Sequence, residues 1–371
     1  MKRFFGLIIL LVIAAVCGVW FMLNQKGTSD YSIPIPGKAS TLTKVTGLAG
    51  SEKMELFADK EIMEILERKE NLDIDVKKAG SVEMVRMTPR AQDFLWPANR
   101  VNLEYYQETH SDVMRSADIF NSPIVLYSWD IVTDALIKNA IVQQRDSIYY
   151  VIDLPKLLEL ITAKKTWKDI GLEQLYGKIM IRSTDPAKSN SGNMFAALIA
   201  NTLNKGEMVT QESIKEVLPR LNTFFARLGH MEHSSSVLFN MFLQQGAGAY
   251  PIIVGYENQL LEFANAHEET LPLLTSKVRI LYPFPTVWAS HPFIALSKKG
   301  VKLMEALKNE KIYELAWKKH GFRSGLSGGK SDPSVFKIPG IPKEINGVMQ
   351  TPSASVMNMI TESLLPLSGI K

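Results

Sequence analysis

A loop rich in hydroxyl side chains, at residues 182–193, carries the strongest chemical signal in the sequence. It reads Arg-Ser-Thr-Asp-Pro-Ala-Lys-Ser-Asn-Ser-Gly-Asn, and apolar residues flank it on both sides. We predict a strand at 178–181, then this loop, then a helix at 192–203. At the start of a helix, the free backbone N–H groups and the positive end of the helix dipole attract an anion, and the hydroxyls add neutral donors.

Two interpretations of this loop are open. In the first, it forms part of a site for an oxyanion or a small polar ligand, with candidate contacts at Ser183, Thr184, Asp185, Ser189 and Ser191. In the second, Ser189 or Ser191 is only the N-cap of the following helix.

The same arrangement of a strand, small or hydroxyl residues and a helix start recurs along the chain. It is found at Gly50-Ser51 and Gly80-Ser81, and related positions are Ser122 before a strand and Tyr256-Glu257 at a helix start. In open α/β sheets, ligands bind at the carboxyl ends of strands, where such loops converge. We therefore predict a cleft between two lobes, with Ser51, Ser81, Ser122, Tyr256 and Glu257 as further candidate contacts.

The apolar pattern predicts an α/β protein. A strand at 41–48, a helix at 54–69 and a strand at 72–76 imply a right-handed crossover within a parallel sheet. Further strands are expected at 122–129, 250–254, 278–282 and 287–296. Further helices are expected at 156–161, 166–175, 211–228 with an interruption near Pro219, 301–320 and 356–365.

Length and composition limit the possible classes of protein. The 371 residues suggest two domains or one two-lobed domain, and 46% hydrophobic with 22% charged residues is typical of a globular protein. The net charge of +4 gives no case for nucleic-acid binding. The single cysteine, Cys17, excludes a disulfide framework and a cysteine metal cluster.

The first 26 residues are predicted to be a membrane anchor or signal segment. Lys2 and Arg3 precede an uncharged run at 4–23, long enough to span a hydrocarbon core of about 30 Å, and the flanking charges place the rest of the chain outside the cytoplasm. A retained anchor, a cleaved signal peptide and a lipoprotein acylated at Cys17 all fit that topology. The apolar run continues past Cys17, and Val16 fits a lipoprotein box poorly, so we favour the retained anchor. A linker follows at 27–40.

The segments at 47–51, 78–81, 91–101, 120–125, 183–192 and 255–257, taken in order, suggest a family. The chain resembles the extracellular solute-binding proteins of ABC-type uptake systems, in the type II class that includes molybdate, tungstate, sulfate and phosphate binders. The resemblance implies a periplasmic-binding-protein-like fold, with two α/β lobes of mixed sheets flanked by helices. It divides the chain into lobe 1 (41–124 plus 287–325), lobe 2 (125–286) and a C-terminal tail (326–371).

The resemblance also assigns the candidate contacts. Ser51 and Ser81 would come from the first lobe, and the loop at 183–192 and Tyr256 from the second. Two crossing strands, near 122–129 and 282–289, would join the lobes. Asp185 and Glu257 would repel an anion, although paired acidic residues join the metal's coordination in some tungstate and molybdate binders.

Other chemical patterns are weaker. Ser327 lies in a Gly-x-Ser-x-Gly pattern, but it follows a helix and no histidine comes after it, so we expect no catalytic serine. His230 and His233 could share a helix face, but no third ligand has a fitting spacing, so we expect no metal site. Arg86, Arg90 and Arg182 could each pair with an anion.

We therefore expect a binding protein and not an enzyme, without a cofactor. It would be anchored by a single span in the cell membrane, face outward, and capture a small solute, above all an oxyanion, for the permease of an ABC-type transporter. The alternative is an accessory or sensory protein that uses the same fold and transports nothing.

Overall fold

The computed structural model describes residues 42–86, 92–325 and 331–367. The predicted membrane or signal segment, the linker at 27–40 and Ser327 lie outside these ranges. Within them, no helix has the length and apolar character needed to cross a membrane.

The described strands are short, except for two long ones that run through the middle of the molecule. In chain order they are β1 (Thr43–Ala49), β2 (Leu72–Lys78), β3 (Phe94–Trp96), β4 (Arg115–Trp129), β5 (Val142–Arg145), β6 (Ile148–Val151), β7 (Ile252–Tyr256), β8 (Val278–Pro283), β9 (Thr286–Ala295), β10 (Arg323–Ser324) and β11 (Val348–Met349).

Most of the described helices follow a strand, and several begin at its carboxyl end. They are α1 (Met54–Ala58), α2 (Lys60–Glu64), α3 (Ser81–Arg86), α4 (Arg100–Thr109), α5 (Asp130–Lys138), α6 (Leu154–Thr162), α7 (Asn190–Leu203), α8 (Ile214–Phe225), α9 (Ser235–Ala249), α10 (Glu257–Ala266), α11 (Leu271–Lys277), α12 (Lys298–Ala306), α13 (Glu310–His320) and α14 (Ala354–Leu364).

The strands pair in the order β2-β1-β3-β9-β4-β8-β6-β5, with β7 and β10 also paired to β4, and β11 to β9. Strand β1 is parallel to β2 and β3, as predicted for the first strand-helix-strand unit. Strands β9 and β4 are antiparallel, so the sheet is mixed.

The long strand β4 changes partners along its length. Its first part pairs with β9, from Arg115 opposite Ala295 to Pro123 opposite Trp288. From Ile124 onward it pairs with β7 and β8. Strands β4 and β9 include most of the two segments predicted to cross between lobes. The lobe boundaries themselves stay a prediction.

Two predicted helices are broken by polar side chains. The helix predicted at 54–69 is interrupted at Asp59, whose Oδ1 accepts hydrogen bonds from the backbone N–H groups of Glu61 and Ile62. The helix predicted at 301–320 is divided into α12 and α13 by Asn309, whose side chain caps the backbone N–H of Lys311. In both places a side chain competes with the helical hydrogen bonds of the backbone.

Three other local predictions are wrong. Helix α8 runs through Pro219 without a break, because its buried residues Ile214, Val217 and Leu221 stabilise it by packing. Residues 166–175 contain only one 3₁₀ turn, at Lys168–Ile170. The strand predicted at 178–181 is also absent. Isolated bridges join Lys178 to Thr166 and Arg182 to Ile253, and the second of these extends the pairing of β7.

The residues predicted to form a tail are part of the fold where the structure describes them. Phe336, Ile338 and Ile341 are buried against β7 and β8. Strand β11 pairs with the start of β9. Helix α14 buries its apolar side chains in the same core as α7 and α8.

Candidate functional site

An open cavity of about 640 Å³ is lined by the loops at residues 50–52, 78–86, 187–190 and 233–235 and by Tyr256. Four of the predicted contacts line it: Ser51, Ser81, Ser189 and Tyr256. The other residues on its wall include further serines, an asparagine, a histidine and five charged side chains, namely Ser234, Ser235, Asn190, His233, Glu52, Lys78, Glu83, Arg86 and Lys188.

Several helices begin at this cavity. Ser81 and Asn190 are the first residues of α3 and α7, and Ser235 is the first residue of α9. A 3₁₀ turn also begins there, at Ser51. The backbone N–H groups of a first helical turn have no partner within the helix, and the dipole makes that end positive. Their convergence therefore favours an anionic or hydrogen-bond-accepting ligand.

The serine hydroxyls before α7 and α9 do not cap these helices. Ser189 occupies the N-cap position of α7 and Ser234 that of α9, and neither side chain makes a capping hydrogen bond. The Oγ of Ser189 instead lies 3.2 Å from the Oγ of Ser191. The Oγ of Ser234 is buried without a hydrogen-bond partner among the described residues. Ser234 thus brings an unused hydroxyl to the cavity wall.

A buried charge cluster supports the loop that carries Ser51. The ammonium of Lys53 is fully buried, pairs with the carboxylate of Glu52 and donates a hydrogen bond to Nδ1 of His291 over 3.0 Å. Burial would raise the pKa of Glu52, but Lys53 and His291 hold it well below its usual range. Glu52 therefore lines the cavity as a carboxylate whose negative charge is balanced by the buried ammonium of Lys53.

Asn190, at the start of α7, contacts residues near two other parts of the cavity wall. Its Nδ2 donates hydrogen bonds to the carbonyl oxygen of Ala98 over 3.2 Å and to the hydroxyl of Tyr256 over 2.9 Å. Close by, a side chain at Gly80 would bring its Cβ within 2.8 Å of the carbonyl oxygen of Lys188. These contacts bring the loop before α3 against the loop before α7.

The remaining residues of the hydroxyl loop lie behind the cavity wall. Thr184 and Ser191 bond each other through their hydroxyls at 2.7 Å, and Ser183 donates to the carbonyl of Thr184. A side chain at Gly192 would place its Cβ 2.1 Å from the carbonyl oxygen of Thr184, so the loop packs against α7 only because this residue is glycine. Asp185 Oδ1 accepts from the backbone N–H of Ala187. These groups shape the loop.

Two further predicted contacts are used elsewhere. Ser122 is buried and donates to the side chain of Asn258. Glu257 does not line the cavity but forms a buried ion pair with Arg323, whose Nε and Nη2 lie 2.6 and 2.8 Å from its carboxylate oxygens. Tyr282 donates a third hydrogen bond to the same carboxylate. Glu257 is therefore paired within the protein and is not part of the cavity wall.

The described residues include no group of three or more His, Cys, Asp or Glu side chains that could hold a metal ion. His230 lies near Glu232, and His233 is on the cavity wall.

Comparison with solved structures shows the fold. A periplasmic thiamin binding protein matches with a TM-score of 0.58 at 9% identity, over 91% of this chain and 100% of that one. The sulfate-binding protein SubI from Mycobacterium tuberculosis H37Rv matches with a TM-score of 0.54 at 13% identity, over 87% and 98%. The apo ferric ion-binding protein A from Pasteurella haemolytica matches with a TM-score of 0.54 at 11% identity, over 88% and 98%.

The chain has the fold of the periplasmic solute-binding proteins. This confirms the predicted class, a mixed sheet flanked by helices. No protein-family model matches the chain, and no curated protein matches its sequence. The sulfate-binding protein and the ferric ion-binding protein are named for ligands of opposite charge, so the fold alone does not determine which ligand binds.

On this periplasmic-binding-protein fold, sequence reasoning missed part of the cavity wall. Lys188 lies within the predicted loop but was not recognised as a contact, and Lys78 precedes Gly80 in a similar position. Ser234 and Ser235 belong to a run of three serines before an apolar segment. Like the predicted loops, that run places hydroxyl residues directly before a helix, so the sequence does contain a signal for Ser234 and Ser235 as contacts.

We expect His291 to make the stability of the protein depend on pH. Burial and the neighbouring Lys53 lower its pKa from 6.5 to about 4. Below pH 6.5 the unfolded chain binds a proton that the folded protein does not, so stability is lost as the pH falls from 6.5 towards 4, by on the order of 3 kcal/mol. Urea unfolding at pH 7 and pH 4.5 measures this loss.

His291→Gln should reduce the loss, and His230→Gln, at an exposed histidine, should leave it as in the wild type. Equal losses in all three proteins would contradict the role of His291.

Proposed function

We propose that this chain is an extracytoplasmic binding protein that captures a small oxyanion in the 640 Å³ cavity and delivers it to an ABC-type transporter. The observation that carries the proposal is the set of hydroxyls and helix starts on the cavity wall, above all the buried Ser234 hydroxyl that lacks a partner in the described structure. Neutral donors at helix starts suit an anion because they add positive potential without requiring a counter-charge.

The charges near the cavity support an anion over a cation. Lys78, Arg86 and Lys188 line it, although Lys188 also lies 3.8 Å from the buried carboxylate of Asp185. Glu52 is neutralised by Lys53. Glu83 is the other acidic side chain on the wall, and its carboxylate is 3.4 Å from the backbone N–H of Gly80. Lysine and arginine side chains around a cavity raise the local concentration of anions.

Binding would involve closure of two lobes, residues 41–124 with 287–325 and residues 125–286, around the ligand. The antiparallel pairing of β4 and β9 supports this division, since both strands run between the two sets of strands. A ligand that stabilises the closed form of the protein would cause it to present a different surface to a permease. A permease gene and an ATPase gene beside this one would favour transport over a sensory or accessory role.

We also propose a membrane tether, from the uncharged run at residues 4–23 after Lys2 and Arg3. Protease added to intact cells, or to wall-stripped cells where a wall shields the protein, should digest residues beyond 30 and spare a small membrane-bound fragment. Protection of the whole chain until the cells are lysed would contradict this topology.

Oxyanions should stabilise the protein against heat. Sulfate, phosphate, molybdate and tungstate are tested by thermal shift on a soluble fragment that begins at residue 30, with chloride at matched ionic strength as the control. An anion at 100 times its Kd should add about 2.7 kcal/mol to the free energy of unfolding. If none of the four anions raises the melting temperature above the chloride control, the oxyanion proposal fails.

Alanine variants of two serines distinguish residues that bind the ligand from residues that only stabilise the loop. Ser234→Ala removes a hydroxyl that bonds nothing in the described structure, so the free protein should keep its melting temperature. Affinity for the bound anion should fall about tenfold to a hundredfold, because a hydrogen bond to a charged group contributes about 1.5–3 kcal/mol. Isothermal titration measures the affinity, and calorimetric melting measures the stability.

Ser191→Ala is the matched control. Its hydroxyl is buried against Thr184 behind the wall, so this change should lower the melting temperature more than Ser234→Ala and alter affinity less. The reverse ranking would mean that the cavity wall is assigned wrongly.

A further inference from the structure

Helix α14, in the C-terminal tail, contacts helices that begin on both sides of the cavity. The side chain of Asn358 accepts a hydrogen bond from Nη2 of Arg86, in α3, over 3.2 Å. One turn later, the hydroxyl of Thr361 accepts one from Nδ2 of Asn193, in α7, over 3.0 Å. Residues three apart in a helix lie on the same face, so one face of α14 reaches both helices.

The attachment of α14 to the α7 side is extensive. Val356, Met357, Ile360 and Leu364 are buried in the core formed with α7 and α8. Ser363 adds a hydrogen bond to a side chain of α8. The buried apolar face holds α14 against α7 and α8. A mutation that breaks only the polar contact with α3 should therefore leave α14 folded and packed in place.

The contact with α3 involves a residue of the cavity wall. Arg86 lines the cavity, and its guanidinium lies over the ring of Tyr105 at 5.4 Å from the centroid. Among the described residues, the bond to Asn358 is the only hydrogen bond that this guanidinium makes. An arginine held by a ring and one acceptor keeps further N–H donors for a ligand, in the fork geometry that suits two oxygens of one anion.

We propose that α14 is a clasp that links α3 to α7, and that it positions Arg86 as the anchor for an anion that presents two oxygens, such as a sulfate or phosphate group. Asn358 is the positioning residue, and Arg86 contacts the ligand. The anchoring role rests on the proposed function, whereas the coupling of α14 to α3 does not require a ligand.

The anchoring role is tested by titrating inorganic sulfate and, separately, inorganic phosphate into Arg86→Ala, Asn358→Ala and the double variant. Arg86→Ala should weaken binding about tenfold to a hundredfold, and Asn358→Ala should weaken it less. The double variant should bind as Arg86→Ala does, because Asn358 acts only through Arg86. Arg86→Lys should stay weakened, since lysine keeps the charge but loses the fork.

Ser355→Ala is the control on the same helix, because Ser355 is exposed and bonds neither α3 nor α7. It should bind both anions as the wild type does. Losses that add in the double variant would overturn the positioning role of Asn358, since a residue with a separate structural effect gives additive losses.

The coupling is tested without ligand by amide hydrogen exchange on the full chain. Asn358→Ala should speed exchange in α3 as well as in α14, while Ser355→Ala should leave α3 unchanged. Unchanged exchange in α3 of Asn358→Ala would overturn the clasp. If exchange changes as expected but neither sulfate nor phosphate binds the wild type, the clasp stands and the anchoring role fails, whereas the proposed function fails only if molybdate and tungstate do not bind either.

Discussion

The change of pairing partners along β4 is the constraint on which the cavity depends. Up to Pro123 the strand is held by β9, and from Ile124 it is held by β7 and β8. A shift of register by one residue would turn every buried side chain of this strand to the opposite face, so the pairing fixes where the two parts of the chain meet. The loop at Ser51 belongs to the sheet on the β9 side, and the loop at Ser189 adjoins β7 on the other.

Charged side chains near the cavity divide into those that stabilise the fold and those that remain available to a ligand. Lys53 and Arg323 are buried and paired, and removal of either partner would leave an uncompensated charge inside the protein. Arg323 also donates to the backbone carbonyl oxygens of Pro342 and Lys343, so it attaches the tail to the sheet. These pairs therefore satisfy their own charges, and the helix starts and the more exposed lysines and arginine are the groups that the proposed ligand would contact.

Local patterns predicted the cavity wall where a site residue is defined by its neighbours in sequence. Ser51, Ser81 and Ser189 were found because each lies between a strand-like segment and a helix start. Glu257 has the same local position, yet its partner is Arg323, 66 residues away, and no local pattern shows that ion pair. The break at Asp59 was missed for another reason, because an acidic residue in a helical pattern becomes a cap only when the backbone turns there. The fold class could be predicted because one local motif recurs along the chain. The partner of a buried charge could not, because it is brought close only by the tertiary structure.

The contact between α14 and α3 also limits how strongly the tail can control binding. If docking of the helix increases the affinity for the anion by some factor, then binding of the anion increases the docking equilibrium of the helix by the same factor. The link to α3 is one exposed hydrogen bond between two side chains, which contributes at most about 1 kcal/mol, or about fivefold in affinity. Reversing a two-state equilibrium from 1:99 to 99:1 would need about 5.5 kcal/mol. Through this one hydrogen bond, helix α14 would therefore change the affinity of the cavity only modestly. Movement of the walls that Asn190 holds in contact could produce a larger response.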